Sequence, residues 1–238
     1  MTVALFGYYV PFYYDPTYVL VIIGIIITLI AQMNVKHTMS KYAQVYSSYR
    51  LTGEEVSRRI LSAANINDVH IESVSGQYTD HYDPRTKVVR LSNSVANSTS
   101  ITAVGVAAHE VGHAIQHNRN FILMTIRSFL VPVANFGSSF GFFMVILGII
   151  LSYTGLITFG ILLFAGTVAF QVITLPVELD ASRRALRLLR TNYILDEQEL
   201  KMAKKVLTAA ALTYVAAAAT TILQLLRLIL LSRGNRRD

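Results

Sequence analysis

The stretch "GVAAHEVGHAIQHNRN", from Gly105 to Asn120, places two imidazoles and a carboxylate inside an otherwise apolar run. Its apolar spacing predicts a helix, and the Ser/Thr/Asn cluster at 97–100 predicts the residue that caps its start. Burying His109, Glu110 and His113 costs several kcal/mol unless each is paired or bound to a metal. The stretch therefore predicts a helix that carries a polar site.

The spacing of these three residues indicates the chemistry of the site. His109 and His113 are four residues apart, so on a helix they share one face, one turn apart. Two imidazole nitrogens so placed can reach one zinc ion at about 2.0–2.1 Å. Glu110 is rotated by about 100° from His109, where it can contact a water on the ion without being a ligand. This is the H-E-x-x-H arrangement of zinc peptidases, with Glu110 as the catalytic base.

The chain contains no cysteine, so a metal must be held by imidazole and carboxylate groups. Catalytic zinc sites have three protein ligands and a water, whereas structural sites close the fourth position with a protein ligand, usually Cys. We expect one Zn²⁺ per chain in an enzyme. The competing interpretation is a non-enzymatic membrane chaperone or scaffold with a structural zinc. A zinc transporter fits less well, because the motif helix adjoins a polar region.

His117 is not expected to be the third ligand. It lies about 12 Å along the helix from His109, and Gln116 stands where the metzincin pattern has the glycine that turns the chain. His117 is expected to be a partly exposed helix-end residue.

Glu178, in "LPVELDASRRALRLLR", is the best candidate for the third ligand. Pro176 suits the first position of a new helix, which would place Glu178 in the first turn. There the carboxylate could also favour the helix dipole or pair with Arg183, and spacing alone leaves these interpretations open. Asp180 lies about 200° around the helix from Glu178, so it is expected to support the site or pair with an arginine.

The composition indicates a membrane protein. Of 238 residues, 53% are hydrophobic and only 15% charged, against about 25% charged in average soluble domains. Three apolar segments, at 18–35, 129–153 and 156–177, are long enough to span a bilayer. A fourth, at 207–231, contains Gln224 and Arg227 and could span or lie tilted at the interface. The net charge of +7 is attributed to contact with anionic membrane lipid, and no nucleic-acid partner is expected.

Charge flanking the segments predicts their orientation. No Lys or Arg precedes the first span, which is expected to be an uncleaved anchor. The positive-inside rule places 36–50, 119–127 and 183–190 in the cytoplasm and the N-terminus outside. Five aromatic residues before the first span are expected to form an interfacial belt: Tyr8, Tyr9, Phe12, Tyr13 and Tyr14. The protein is thus predicted to be multi-pass in the cytoplasmic membrane, with its site facing the cytoplasm.

The fold class expected is mostly α, with polytopic membrane helices and a region holding a small antiparallel β-sheet. Thr52 and Glu55 form a capping box that opens a helix, and alternating residues at 69–92 predict two or three strands. The divisions expected are 1–36 as a transmembrane anchor, 37–128 as the cytoplasmic catalytic region, 129–177 as two spans, 178–206 as a cytoplasmic helix and 207–238 as an apolar helix with a basic tail.

Three blocks carry a family resemblance: "GQYTDHYDPRTKVVRLS", "AVGVAAHEVGHAIQ" and "LPVELDASRRA". They resemble the bacterial membrane neutral zinc metallopeptidases (the YugP-like family), from about Thr52 to the C-terminus. The resemblance implies a gluzincin-like membrane peptidase in which His109, His113 and Glu178 bind zinc and Glu110 is the base. The implied activity is endopeptidase cleavage of a peptide or membrane-protein substrate, and no oligomeric state is predicted.

The chain also resembles, more distantly, membrane proteases that process prenylated proteins and heat-shock quality-control proteases. Those have an Asp four residues after the ligand Glu, where it supports a zinc-bound His, but this chain has Ser182. Asp180 or Asp83 is expected to replace that carboxylate. In "TDHYDP", His81 or Tyr82 is a candidate donor to the oxyanion; the alternative is a strand pair near a turn with no catalytic part.

Overall fold

The structure is a computed structural model that describes residues 2–5, 8–11, 15–76 and 79–234, with backbone alone for 2–5, 8–11 and 233–234. The strands are β1 (Thr2–Leu5), β2 (Tyr8–Pro11), β3 (His70–Val74), β4 (His81–Asp83) and β5 (Val88–Ser92). The helices are α1 (Tyr18–Ala43), α2 (Gly53–Ala63), α3 (Asn93–Ala96), α4 (Ile101–Asn118), α5 (Ile122–Phe136), α6 (Phe142–Ile150), α7 (Thr154–Thr191) and α8 (Glu197–Gly234). The predicted aromatic belt falls on residues whose side chains lie outside the described part.

Four helical stretches are long and apolar enough to cross a membrane: Tyr18–Ala43, Ile122–Ile150, Thr154–Thr191 and Glu197–Ser232. The second joins α5 to α6 through a π-helical turn, Gly137–Gly141. The turn lies against α7 so closely that a Cβ on Gly137 would be 2.3 Å from the carbonyl oxygen of Leu163. The prediction of a mostly helical, multi-pass membrane protein is confirmed.

The fourth apolar segment belongs to α8, which runs antiparallel beside α1. The Thr220 hydroxyl donates to the carbonyl of Gly24 at 3.2 Å, and Arg227 pairs with Asp15 at 3.3 Å, just before α1 begins. This partner accounts for an arginine in an apolar helix. The C-terminal end of α8 therefore lies at the same end of the bundle as the N-terminus of α1.

The sheet is mixed rather than antiparallel throughout, which corrects the sequence prediction. Strands β4 and β5 pair antiparallel around a turn, but β3 pairs with the other edge of β5 and runs parallel to it, in the order β3-β5-β4. Sequence alternation gives the face of each residue but not the direction of its partner strand. The turn at Gly76, with φ of +110°, therefore begins a crossover instead of a hairpin.

Pro176 does not begin a new helix, contrary to the prediction. It lies inside α7, which continues from the apolar segment through the basic stretch to Thr191. Proline lacks the N–H of one helical hydrogen bond but does not necessarily end a helix. Glu178 is consequently mid-helix, which removes stabilisation by an N-terminal dipole as an explanation for it.

The helix α4 lies at the centre of the largest buried cluster. The Ser100 side chain accepts from the N–H of Ala103 and caps its start, and the Thr52–Glu55 capping box begins α2; both predictions are confirmed. Val104 and Val111 of α4 are fully buried, and the helix packs against α2, α7 and α8. Its polar residues are therefore held on a rigid, buried element.

Candidate metal centre

Two helices bring together the three predicted ligands. His109 and His113 from α4 face Glu178 from α7, and one ligand atom from each lies within 4.8 Å of the others. The Oε2 of Glu178 is 3.2 Å from the Nε2 of His109 and 3.4 Å from the Nε2 of His113. The imidazole rings meet edge to face, with centroids 4.7 Å apart. Both Nε2 atoms thus point at the same carboxylate oxygen.

Gly112 lets α4 and α7 approach closely enough for both histidines to face Glu178. A Cβ at this position would be 2.8 Å from the carbonyl oxygen of Ala181 on α7. Since real side chains do not tolerate that distance to backbone, a larger residue would push α7 away from α4. The glycine between the histidines therefore sets the distance from them to Glu178.

Gln116 fixes the tautomer of His113. Its Nε2 donates to the carbonyl of Val177 and to Asp180, both at 2.8 Å, so its Oε1 is the atom that faces His113. The Nδ1 of His113 lies 2.9 Å from that Oε1 and must donate to it, which leaves Nε2 free for a metal. Asp180 was predicted to support the site, and it does so through Gln116, from which it accepts a hydrogen bond.

Ser182 occupies the place of the missing carboxylate. Its hydroxyl lies 3.2 Å from the Nδ1 of His109, so a neutral oxygen takes the position that an Asp has in the more distant resemblance. Asp83 does not substitute for it. The backbone N–H of Arg85 and the Thr86 hydroxyl both donate to Asp83, and these bonds hold the pKa of Asp83 at about 2.

The buried carboxylate changes the basicity of its neighbour. Burial disfavours a charged imidazole at His113, but hydrogen bonding and charge from Glu178 outweigh this and raise the pKa of His113 above its usual range. Glu178 is only 2% exposed, and its other oxygen, Oε1, is 3.6 Å from the guanidinium of Arg127 on α5. Without a metal, a proton on His113 helps to neutralise this carboxylate.

The ligand group opens onto a cavity of about 500 Å³. His109, Glu110 and Glu178 line one end, while the walls come from α1, α4 and α8, including Met39, Val106 and Leu207, with a further wall of serines. Glu110 is nearly buried at 9% exposed, yet it lines the same space. A group bound in the cavity would therefore meet the ligands and Glu110 together.

The two oxyanion candidates are not brought to this cavity. His81 is exposed, with its Nδ1 at the carbonyl of Thr79, and the Tyr82 hydroxyl is 2.8 Å from the Nδ1 of His117. His117 is at the end of α4, partly exposed as predicted, and about 12 Å along the helix from His109. Among the described residues, neither His81 nor Tyr82 lines the space that Glu110 faces.

Sequence reasoning missed Gln116 and Arg127 as residues that contact the ligands, and treated Ser182 only as a departure from a family pattern. Two of these had a local signal, because Gln116 follows His113 by three residues and Ser182 follows Glu178 by four, the helical spacings that share a face. Arg127 had none, since its contact with Glu178 depends on how α5 packs.

The donor set fits zinc. Two imidazoles and one carboxylate are typical of catalytic zinc sites, and each imidazole has the partner on its second nitrogen that metal-binding histidines usually have. In the part of the chain that the structure describes, the group has three members. Two of the three, His109 and Glu178, also line the cavity.

The fold and the site together define a protein with four helical stretches apolar enough to span a membrane and a His-His-Glu group that could hold a metal ion. A family model described as "Putative neutral zinc metallopeptidase" matches residues 17–233, and the chain belongs to this family. It is 44% identical over 206 residues to the "Putative membrane protease YugP" of Bacillus subtilis (strain 168), which covers 87% of this chain and 92% of that protein. No solved structure matches the chain. The predicted resemblance is confirmed.

Proposed function

We propose that the protein is a membrane-embedded zinc-dependent endopeptidase that holds one zinc ion per chain. The observation that carries this proposal is the convergence of His109, His113 and Glu178 at the end of a cavity that Glu110 also lines. A bound zinc ion would supply the Lewis acidity that activates water and a carbonyl group. The cavity has room for an extended peptide segment beside α4 and α8.

In this mechanism the chain's own residues move one proton. Glu110 takes it from the attacking water and returns it to the nitrogen of the leaving amine. Gln116 and Ser182 hold the two imidazoles in orientation, so that neither has to reorganise during the reaction. Glu178 stays ionised opposite Arg127 and balances part of the metal's charge.

The proposal is tested on the full-length protein in detergent with two glutamate variants. Glu110→Gln keeps the size of the side chain but removes the proton acceptor, so it should retain zinc and lose casein cleavage by several orders of magnitude. Glu178→Gln replaces an anionic ligand with a weak neutral one, so it should lose zinc affinity as well as activity. Zinc content and cleavage of fluorescently labelled casein are measured side by side. Wild-type cleavage by zinc-loaded Glu110→Gln would remove its role as base, and a zinc-loaded wild-type protein that cleaves nothing would favour the scaffold.

We further propose that the metal centre faces the cytoplasm from the cytoplasmic membrane, with anionic lipid against the basic residues. Support comes from the Lys and Arg residues at 36–50, 119–127 and 183–190, which the positive-inside rule places on the cytoplasmic side. Under this orientation α8 also crosses the membrane, and its end lies outside with the N-terminus.

Single cysteines test the orientation cleanly, because the chain has none of its own. Ser62→Cys and Gln198→Cys are at exposed positions on the proposed inner side, and Tyr153→Cys is in the exposed loop before α7. An impermeant thiol reagent added to intact cells should label position 153 alone. Labelling at 62 or 198 with protection at 153 would reverse the orientation.

A further inference from the structure

The helix α8 presents one stripe of residues to the cavity: Leu207, Ala210, Ala211 and Tyr214. Their spacing of three, four and seven residues places them on a single helical face. Three of the four are aliphatic, so the phenol of Tyr214 is the one polar group in the stripe. The wall that α8 contributes to the cavity is therefore apolar except for the hydroxyl of Tyr214.

Helix direction places Tyr214 at the metal end of the cavity. Contacts of Gly112 with Ala181 and of Gln116 with Val177 show that α4 and α7 run antiparallel. Since α7 and α8 form a helical hairpin, α8 runs parallel to α4. The cavity face of α8 therefore advances towards Tyr214 as that of α4 advances towards Glu110.

The side chain of Tyr214 extends back along α8, towards the level of Ala210. Helical side chains lean towards the N-terminus of their helix, so the phenol leans back from the level of residue 214 to that of Ala210. Tyr214 lines the same cavity as His109, Glu110 and Glu178. The hydroxyl and the metal ligands thus border the same small volume.

Peptide hydrolysis needs a donor in that volume. As water adds to a peptide carbonyl, its oxygen gains negative charge, and a preorganised hydrogen-bond donor stabilises it. Among the described residues that line the cavity there is no Lys or Arg, and His109 is assigned to the metal. Ser182 is engaged with His109, and the guanidinium of Arg127 faces Glu178.

We propose that Tyr214 is the catalytic residue that donates a hydrogen bond to the carbonyl oxygen of the scissile peptide. This proposal rests on the proposed peptidase function. A bond forms between the water oxygen and the carbonyl carbon, and the carbon–nitrogen bond then breaks. The proton passes from water to Glu110 and on to the leaving nitrogen, while Tyr214 keeps its own proton throughout. In this proposal the phenol of Tyr214 takes the role for which the sequence offered His81 or Tyr82 as candidates.

Two matched variants test the assignment, because Tyr214→Phe and Tyr82→Phe each remove one phenol hydroxyl, the first from the wall of the cavity and the second from its contact with His117. Each is compared with the wild type for zinc content, melting temperature, and kcat and KM on labelled casein. A further measurement is equilibrium binding of a phosphinic tripeptide with Ala side chains, whose tetrahedral phosphorus carries the oxygen that the donor would bind.

Tyr214→Phe should lower kcat by about 10²–10³-fold with KM within about threefold, and should weaken phosphinic-peptide binding while retaining zinc and melting temperature. Tyr82→Phe should keep wild-type kcat and phosphinic-peptide affinity. Wild-type kcat and affinity in Tyr214→Phe would overturn its role in a working peptidase, as would a loss of zinc that accounts for the whole defect. A wild-type protein that holds zinc but cleaves no casein would instead overturn the proposed function itself.

Discussion

Replacing Gln116 with Leu should weaken zinc binding about 10- to 100-fold without touching a ligand. Gln116 is fully buried and makes three hydrogen bonds. In the variant, two of its three partners still have another polar group to pair with. The Val177 carbonyl still accepts within α7, and Asp180 still pairs with Arg184. Only the Nδ1–H of His113, itself 7% exposed, is left unsatisfied. An orphaned buried donor costs about 1–3 kcal/mol, or roughly 5- to 150-fold in an equilibrium constant.

The cost falls on the metal-bound state, since zinc needs His113 neutral with its proton on Nδ1, whereas without zinc the His113 of the variant can carry a single proton on Nε2, where it faces Glu178. The assay is competition between the purified protein and a chromogenic zinc chelator at neutral pH. Gln198→Leu is the matched control, because the same exchange there is on the exposed start of α8 and should leave affinity unchanged. An affinity of Gln116→Leu within twofold of the wild type would refute the argument that Gln116 sets the tautomer.

Three further predictions concern the same centre. Under the proposed function the wild type holds one zinc ion, and His109→Ala and His113→Ala should each lose it, as read by atomic absorption; full occupancy in both variants would end the metal-site assignment. Gly112→Ala should lower zinc affinity and melting temperature together, because its Cβ would meet the Ala181 carbonyl at 2.8 Å; Gly105→Ala, where the nearest atom is 3.9 Å away, is the control and should change neither. Because Glu178 raises the pKa of His113, zinc must displace a proton below that pKa. Chelator competition at stepped pH should therefore show zinc affinity falling roughly tenfold for each pH unit that the pH is lowered. The fall should begin above about pH 6.5, the ordinary pKa of histidine, and a zinc affinity independent of pH would contradict it.

Local rules predicted the parts of the site that one helix determines. The four-residue spacing of His109 and His113 gives a shared face wherever a helix forms, and the cap at Ser100 made that helix predictable. The capping box at Thr52 was predictable for the same reason. None of these depends on what the helix packs against.

Contacts between elements were only partly predictable. Glu178 is 69 residues from His109, and spacing alone left its role open until a family resemblance selected the ligand. The structure shows two features that the residues alone could not. Gly112 allows α7 to pack closely against α4, and α7 continues through Pro176. Proline was read as a start signal, but the packing of a long membrane helix overrides that local preference.

Tyr82 and Tyr214 show that packing between elements decides which side chains line the cavity. Alternation correctly placed a strand at β4, and Tyr82 in that strand is buried. Tyr82 packs on the C-terminal end of α4, where its hydroxyl contacts His117. His117 is about one helical turn beyond His113 and two beyond His109. Tyr214 lies in a run of alanines and leucines that predicts only a membrane segment, so its place in the wall of the cavity follows from the packing of α8 and not from any motif. In a site assembled between helices, the helix that carries the motif identifies two of the three candidate ligands, whereas Glu178 and the groups that would contact the substrate come from whichever helices pack around the cavity.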